Sequence, residues 1–279
     1  MPGGPNYRRI NAMIEGQELH TVCKSANCPN VGECWEQGTA TFMINGDICT
    51  RSCTFCAIGA GCPQPPDPDE PRRVADVAAR MRLDHVVITA VTRDDLPDGG
   101  ARQFAATLRA LRERLPDATR EVLIPDFLGD TAALDIVFRE RPEVMNHNVE
   151  TVPRLYDSVR PRAWYPRSLE VLAASARAGL VTKSGIMLGL GETAEEIGAV
   201  LRDMRAAGVH LVTIGQYLSP SLAHHPIHRY ATPEEFEHWR RFGLELGFTH
   251  LDSGPLVRSS YHAKSSCHRA RSESPSQTS

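Results

Sequence analysis

Seven of the chain's eight cysteines fall between Cys23 and Cys62, and the eighth is Cys267. Cys49, Cys53 and Cys56 form C-x3-C-x2-C. That spacing lets one loop wrap three corners of a cubane iron–sulfur cluster, in which each iron takes one thiolate. Three thiolates leave one iron open, and an open metal position can hold a small molecule, as catalytic zinc sites show. Zinc is the rival reading, but zinc ribbons pair two C-x2-C elements and this chain has one. Upstream, Cys23, Cys28 and Cys34 form C-x4-C-x5-C within CKSANCPNVGECW. Ordinary buried thiols are the bland alternative there; tight spacing amid Asn, Pro and Gly argues for a second cluster. Cys62 and Cys267 lie outside both triads and are not expected to be ligands. His224 and His225 lack a third metal partner and read as surface residues.

The rest of the chain must position these thiols. Its 279 residues suit one large domain with extensions, and 41% hydrophobic residues are enough for a core. A net charge of −3 gives no electrostatic footprint for nucleic acid or anionic lipid. No apolar run is long enough to span a bilayer, and the first 20 residues lack the apolar core of a secretory signal. The expected location is therefore cytoplasmic, where thiols stay reduced, and a disulfide framework gives way to metal binding.

Short apolar runs at 41–45, 85–91, 121–126, 144–149, 183–188 and 210–217 alternate with amphipathic stretches. Ile197, Val200, Leu201 and Met204 share one helix face. Thr193 with Glu196, and Thr232 with Glu235 behind Pro233, read as capping boxes. Strands alternating with helices call for a parallel sheet with right-handed crossovers. The expected fold is α/β, a partial (β/α)6 TIM-like barrel over 41–225. An N-terminal extension, 1–40, carries the upstream triad. The segment 226–267 closes over it, and 268–279 is a polar, disordered tail. The proline-rich stretch 62–71 is expected to be an ordered loop. Catalytic groups in barrels gather at the C-terminal ends of strands.

The Cys49–Cys56 trio, with Phe55 before its last cysteine, resembles the signature of the radical S-adenosylmethionine superfamily. The two triads in this order are similar to those of the lipoyl synthase family. The likeness continues through INGDICTRSCTFC (44–56), VVITAVTRDDLPDGGA (86–101), EVLIPDF (121–127), NHNVETVPRLY (146–156), TKSGIMLGLGET (182–193), TIGQYL (213–218) and GPLVRSSYHA (254–263), covering about 5–264. Two positions depart from it. Leu128 stands where an arginine is expected, and Trp164 occupies a usually smaller slot.

The resemblance implies a sulfurtransferase that inserts sulfur at C6 and C8 of an octanoyl chain held on a carrier-protein lysine. It implies two 4Fe-4S clusters and S-adenosylmethionine. The cluster on Cys49, Cys53 and Cys56 would cleave the cofactor; an auxiliary cluster on Cys23, Cys28, Cys34 and Ser260, the serine before Tyr261 in RSSY, would donate sulfide. Ser259 would make a backbone hydrogen bond. Thr92 and Asp94 are placed to meet the cofactor's methionine moiety, beside Arg93 and Asp95. Asn148 and Glu150 could hold ribose hydroxyls, Gly189 and Gly191 let backbone approach the adenosyl group, and Gln216 adds a polar contact. His147 reads as a satisfied core histidine. Implied partners are octanoylated lipoyl carrier domains (2-oxoacid dehydrogenase subunits and the glycine-cleavage H protein), a reduced ferredoxin or flavodoxin, and an iron–sulfur carrier for cluster rebuilding. A biotin-synthase-like enzyme would not explain the upstream triad and RSSY. An RNA methylthiotransferase would need a basic RNA-binding domain. An electron carrier would need neither six βα units nor an open iron.

Overall fold

The computed structural model describes residues 5–16, 19–25, 28, 30–36, 40–260 and 263. Tyr261, Cys267 and the tail expected at 268–279 lie outside them. Among the described residues, eight strands form one sheet in chain order: β1 (His20–Thr21), β2 (Thr41–Ile44), β3 (His85–Ala90), β4 (Thr119–Leu123), β5 (Val144–Asn146), β6 (Thr182–Leu188), β7 (Leu211–Gln216) and β8 (His250–Gly254). β1 runs antiparallel to β2, and every later neighbour is parallel. The helices are α1 (Pro5–Glu15), α2 (Val22–Ser25), α3 (Val31–Glu36), α4 (Glu70–Met81), α5 (Ala101–Arg114), α6 (Thr131–Phe138), α7 (Tyr156–Val159), α8 (Tyr165–Arg177), α9 (Ala194–Ala206) and α10 (Pro233–Glu245). A parallel sheet in sequential order with helical crossovers is a sector of a β/α barrel. Strands covered on both faces read as unbroken apolar runs, which is why all four residues of β2 and all six of β7 are buried.

Each expected strand is present, with local differences. β4 begins two residues before the expected 121 and ends at Leu123, because Pro125 has no amide hydrogen to continue the ladder. β8, in the segment expected to close the barrel from outside, lies parallel against β7 and extends the sheet. The proline-rich loop leads into α4 at Glu70. Ile197, Val200, Leu201 and Met204 are fully buried on α9, whose capping box is complete. The second box is half formed. Thr232 Oγ1 accepts from Glu235 N, but the Glu235 carboxylate pairs with Arg229 instead of reaching back.

One apolar cluster joins β2–β4 to α4–α6 and to Ile10 and Ile14 of α1, so the N-terminal extension is docked on the barrel. A second joins β6–β8 to α8–α10. No helix among the described residues is long and apolar enough to cross a membrane.

Candidate functional site

The loop after β2 carries Cys49, Cys53 and Cys56 and is tied to its surroundings on several sides. Cys49 N donates to Gly59 O and Gly61 N donates to Cys49 O, at 2.8 and 2.9 Å. Thr50 donates to Thr92 O from both its amide and its hydroxyl, and that hydroxyl accepts from Asp94 N. Thr54 N donates to Val159 O, and His225 N donates to Thr54 O. The central tie is Arg51. Its guanidinium meets Asp94 through two bonds of 2.7 and 2.9 Å and Asp126 through one of 2.6 Å. Asp126 also accepts from Leu128 N and faces Arg167 at 3.3 Å. Burial pushes the Asp126 carboxyl up, but the Arg51 bond and charge outweigh it and hold the group at about 2.

None of the described cysteines is in a disulfide. Arg51 N donates to Cys49 Sγ at 3.4 Å. Burial, with the neighbouring thiols adding to it, raises Cys56 to about 11; burial raises Cys53 too, against the pull of Arg160. Phe55 packs on the second apolar cluster.

The upstream triad spans α2, the turn after it and α3. Cys28 N donates to Cys23 O, and Cys34 N to Asn30 O. Cys34 is raised to about 12 by burial, then by Cys23 and Cys28, so the three thiols share one neighbourhood. The C-terminal segment lies against them. Asn30 Nδ2 donates to Leu256 O at 2.7 Å, and the Arg258 cation faces Cys28. Ser260 is half-buried in the turn that follows. Ser259, expected to bond backbone, accepts from the Asn148 side chain, Nδ2, at 2.8 Å, which joins this turn to the barrel mouth.

At the mouth, the chain beyond β5 turns at Glu150 with φ 65° and rejoins β6 through a bridge to Ile186. Burial raises the Glu150 carboxyl, opposed by Arg160 and Asn148. Arg160 donates to Asn148 O and Val149 O, while Asn148 Oδ1 and Arg160 Nε are buried without partners. His147 is a satisfied core histidine, bonded to Ile124 O and Ser168 Oγ.

The structure brings Cys49, Cys53, Cys56, Thr92 and Asp94 together, and sets Asn148 and Glu150 side by side. It gives several of these residues partners of their own. Both Asp94 oxygens are held by Arg51, and the Thr92 carbonyl by Thr50. Gln216 is committed at both ends, to Tyr217 O, Arg229 O and Ala231 N. Gly189, at φ 97°, has Arg229 O 2.5 Å from where a Cβ would stand, and Gly191, at φ 110°, lies under His228. The amides of Gly189 and Leu190 are taken by the Glu192 carboxylate, so this turn does not offer them to an anion. His225 bonds Leu190 O and is half-buried, not a free surface residue. Cys62 is exposed. Sequence reasoning missed Arg51 and Arg160. A charged residue between two cysteines of the triad was the available sign for Arg51; nothing in the sequence marked Arg160.

The donor set fits iron–sulfur clusters: two separate groups of three reduced thiols, one on a rigid loop at the C-terminal ends of parallel strands. Among the described residues no three His, Cys, Asp or Glu side chains are drawn together as ligands of one ion. A cubane takes its thiolates at separate corners.

The Radical SAM superfamily model matches residues 43–204. A lipoyl synthase of Rubrobacter xylanophilus is 56% identical, covering 97% of this chain and 85% of its own length. One from Chlorobaculum parvum is 54% identical, covering 95% and 91%. Among solved structures, Streptococcus suis SuiB matches with a TM-score of 0.60 at 12% identity, over 81% of this chain and 52% of its own. Methylornithine synthase (PylB) matches with 0.56 at 16%, over 75% and 62%. These two likenesses concern the fold alone. The full-length identities go further, and by them the chain belongs to the lipoyl synthase family of the radical S-adenosylmethionine superfamily.

Proposed function

We propose that this chain inserts two sulfur atoms, at C6 and C8, into an octanoyl group on a carrier-protein lysine. The observation that carries the reading is the pairing of two triads, one on the barrel loop and one on the docked extension, joined through the turn at Ser259. Cys49, Cys53 and Cys56 would hold the cluster that binds S-adenosylmethionine. Cys23, Cys28, Cys34 and Ser260 would hold the auxiliary cluster that donates sulfide. The bound cofactor supplies hydrogen-atom abstraction, which unactivated methylene carbons require because acid–base groups cannot break such bonds.

The protein's own groups supply position and exclusion of water. Arg51 fixes the cluster loop against the loops after β3 and β4. The unpartnered Asn148 Oδ1 can accept from a ribose hydroxyl, and Glu150 beside it can do the same. Thr92, Asp94, Gly189, Gly191 and Gln216 shape the cofactor's surroundings, since their polar groups or Cβ space are occupied by protein. Ser260 is an apt ligand for a cluster that must be dismantled. Soft iron–sulfur sites prefer thiolate, so an oxygen ligand leaves readily. The substrate would be an octanoylated lipoyl carrier domain, and the electrons would come from a reduced ferredoxin or flavodoxin in the cytoplasm, with an iron–sulfur carrier rebuilding the auxiliary site.

The test is the product mass after anaerobic reaction with an octanoyl-lysine peptide, reductant and S-adenosylmethionine. A gain of two sulfur atoms is expected, from protein reconstituted with about eight irons. Cofactor cleavage without sulfur gain in fully loaded protein would reject the reading.

A further inference from the structure

Leu128 and Trp164 are each 55% exposed, and both lie on one side of the barrel mouth. Leu128 is held outward by a strained turn. Phe127 and Leu128 have φ of 45° and 55°, a region that side chains rarely adopt, and the turn is pinned by Leu128 N donating to Asp126 Oδ1. The Phe127 side chain goes inward to meet Phe104 edge-on, so the turn presents leucine and not phenylalanine to solvent. Trp164 precedes α8, and the Arg167 guanidinium stands 5.9 Å from its ring centre. The same Arg167 reaches Asp126, and its stem lies 3.7 Å from where a Gly129 Cβ would be. Arg167 therefore links the Trp164 ring to the turn that carries Leu128.

The patch has a charge. Residues 158–168, SVRPRAWYPRS, hold three arginines and no carboxylate. Arg167 has Asp126 and Arg160 turns inward, but Arg162 is exposed and bonds the Thr50 carbonyl, with no carboxylate paired to it among the described residues. On the other side, the Asp130 carboxylate caps α6, and the helix N-terminus offsets part of its charge. An aromatic ring, an aliphatic side chain and an arginine at a rim are the residue types that anchor protein partners.

We propose that Leu128, Trp164 and Arg162 form the docking face for the carrier domain, and that the complementary face of that domain is acidic with an apolar centre. Resting on the sulfur-insertion reading above, this proposal gives that reaction its protein-recognition surface. Arg162 touches the cluster loop one residue from Cys49. A domain seated on the patch would thus hold its acyl-lysine over the mouth.

The experiment compares an octanoylated carrier domain with a short octanoyl-lysine peptide, using the reconstituted protein and the double variant Trp164→Ala, Leu128→Ser. The expected result is a rise of about tenfold or more in KM for the carrier domain, with peptide kcat/KM and cofactor cleavage unchanged. Added salt should raise the carrier KM in the native protein and leave the peptide KM unmoved. An unchanged carrier KM, or equal weakening of both substrates, overturns the proposal. If the native protein makes no thiolated product from either substrate, the sulfur-insertion reading fails. Titration calorimetry with the carrier domain then decides the docking face by itself: affinity lost in the double variant upholds it, and affinity retained overturns it.

Discussion

The two triads are fastened by different kinds of bond. The downstream loop is bonded to the chain beyond β3, to the end of α7 and to the segment at His225, and Arg51 fastens it to two buried or nearly buried carboxylates. The upstream triad sits on short helices, with a side-chain bond from Asn30 to Leu256 and the Arg258 cation facing Cys28. Charge-assisted, bidentate bonds define geometry far more tightly than a single amide bond to an exposed carbonyl. A site that binds and cleaves a cofactor in every cycle needs fixed geometry. A site that gives up its sulfide must be taken apart and refilled, and a lighter attachment suits that.

The sharpest break in this comparison is genetic. Cys53→Ala should abolish S-adenosylmethionine cleavage. Cys28→Ala should retain some cleavage and make no thiolated product. Two variants that lose only the second activity would show the roles assigned to the triads to be wrong. Next in size is Ser260→Ala, which should keep most of its iron and still cleave the cofactor, yet yield little product, with Ser259→Ala milder. A fully active Ser260→Ala protein would remove the serine from the cluster.

Arg51→Met tests the rigid side directly. It takes from Asp94 its two-pronged partner and leaves Asp126 with Arg167 at 3.3 Å, and removing one member of a buried ion pair costs about 3–5 kcal/mol. The expected loss of stability is of that order, with cofactor cleavage falling more steeply than iron content. Arg51→Lys should restore part of the stability but little cleavage, because an ammonium cannot reproduce the two-pronged contact with Asp94. Unchanged cleavage in Arg51→Met would mean that the loop holds itself.

How far these features were legible follows from their periodicity. Cysteine spacing marks a candidate cluster loop because Cys49, Cys53 and Cys56 lie close together in the sequence. The face of α9 and the cap at Thr193 follow from repeats of three and four residues. Strand ends blur where Pro125 stops a ladder without ending the apolar run. The charges inside the barrel have no such signal. Arg51 pairs with residues on two other loops, and Lys183 bonds Glu121 at 2.9 Å with both side chains 1% exposed, although each alone reads as a solvated residue. The second capping box failed for the same reason, because Arg229 took Glu235. Long-range pairing is set by topology, which local patterns do not encode.

Acid should separate the two sides next. Burial and then the Arg160 charge lower His147, beneath the downstream site, from an ordinary value near 6.5 to about 4. Between those values the unfolded chain takes up a proton that the folded one refuses. Stability is therefore lost as pH falls from 6.5 to about 4, by about 3 kcal/mol in all. Asp126, held at about 2, contributes above the ordinary carboxylate range and is lost only as pH drops towards 2, so the windows do not overlap. Anaerobic unfolding midpoints of His147→Gln should show a flatter slope from pH 6.5 to 4; an unchanged slope would assign it to other groups.

The smallest effect probes the lighter attachment. Asn30 is 4% exposed and its side-chain amide donates to Leu256 O, while Leu256 itself is 51% exposed. In Asn30→Ala the freed carbonyl can turn to water, so the change in stability should stay near 1 kcal/mol. The turn should survive, because the Asn30 carbonyl still accepts from Cys34 N. What changes is the tie between the extension and the segment that carries Ser260. In Asn30→Ala, a chelator should strip iron from the upstream site faster, while the downstream site, fastened by Arg51, releases its iron at the native rate. Equal acceleration at both sites would mean that the two are one mechanical unit and that their different bonding has no consequence. No acceleration at either would mean that α3 and its packing hold the extension without Asn30.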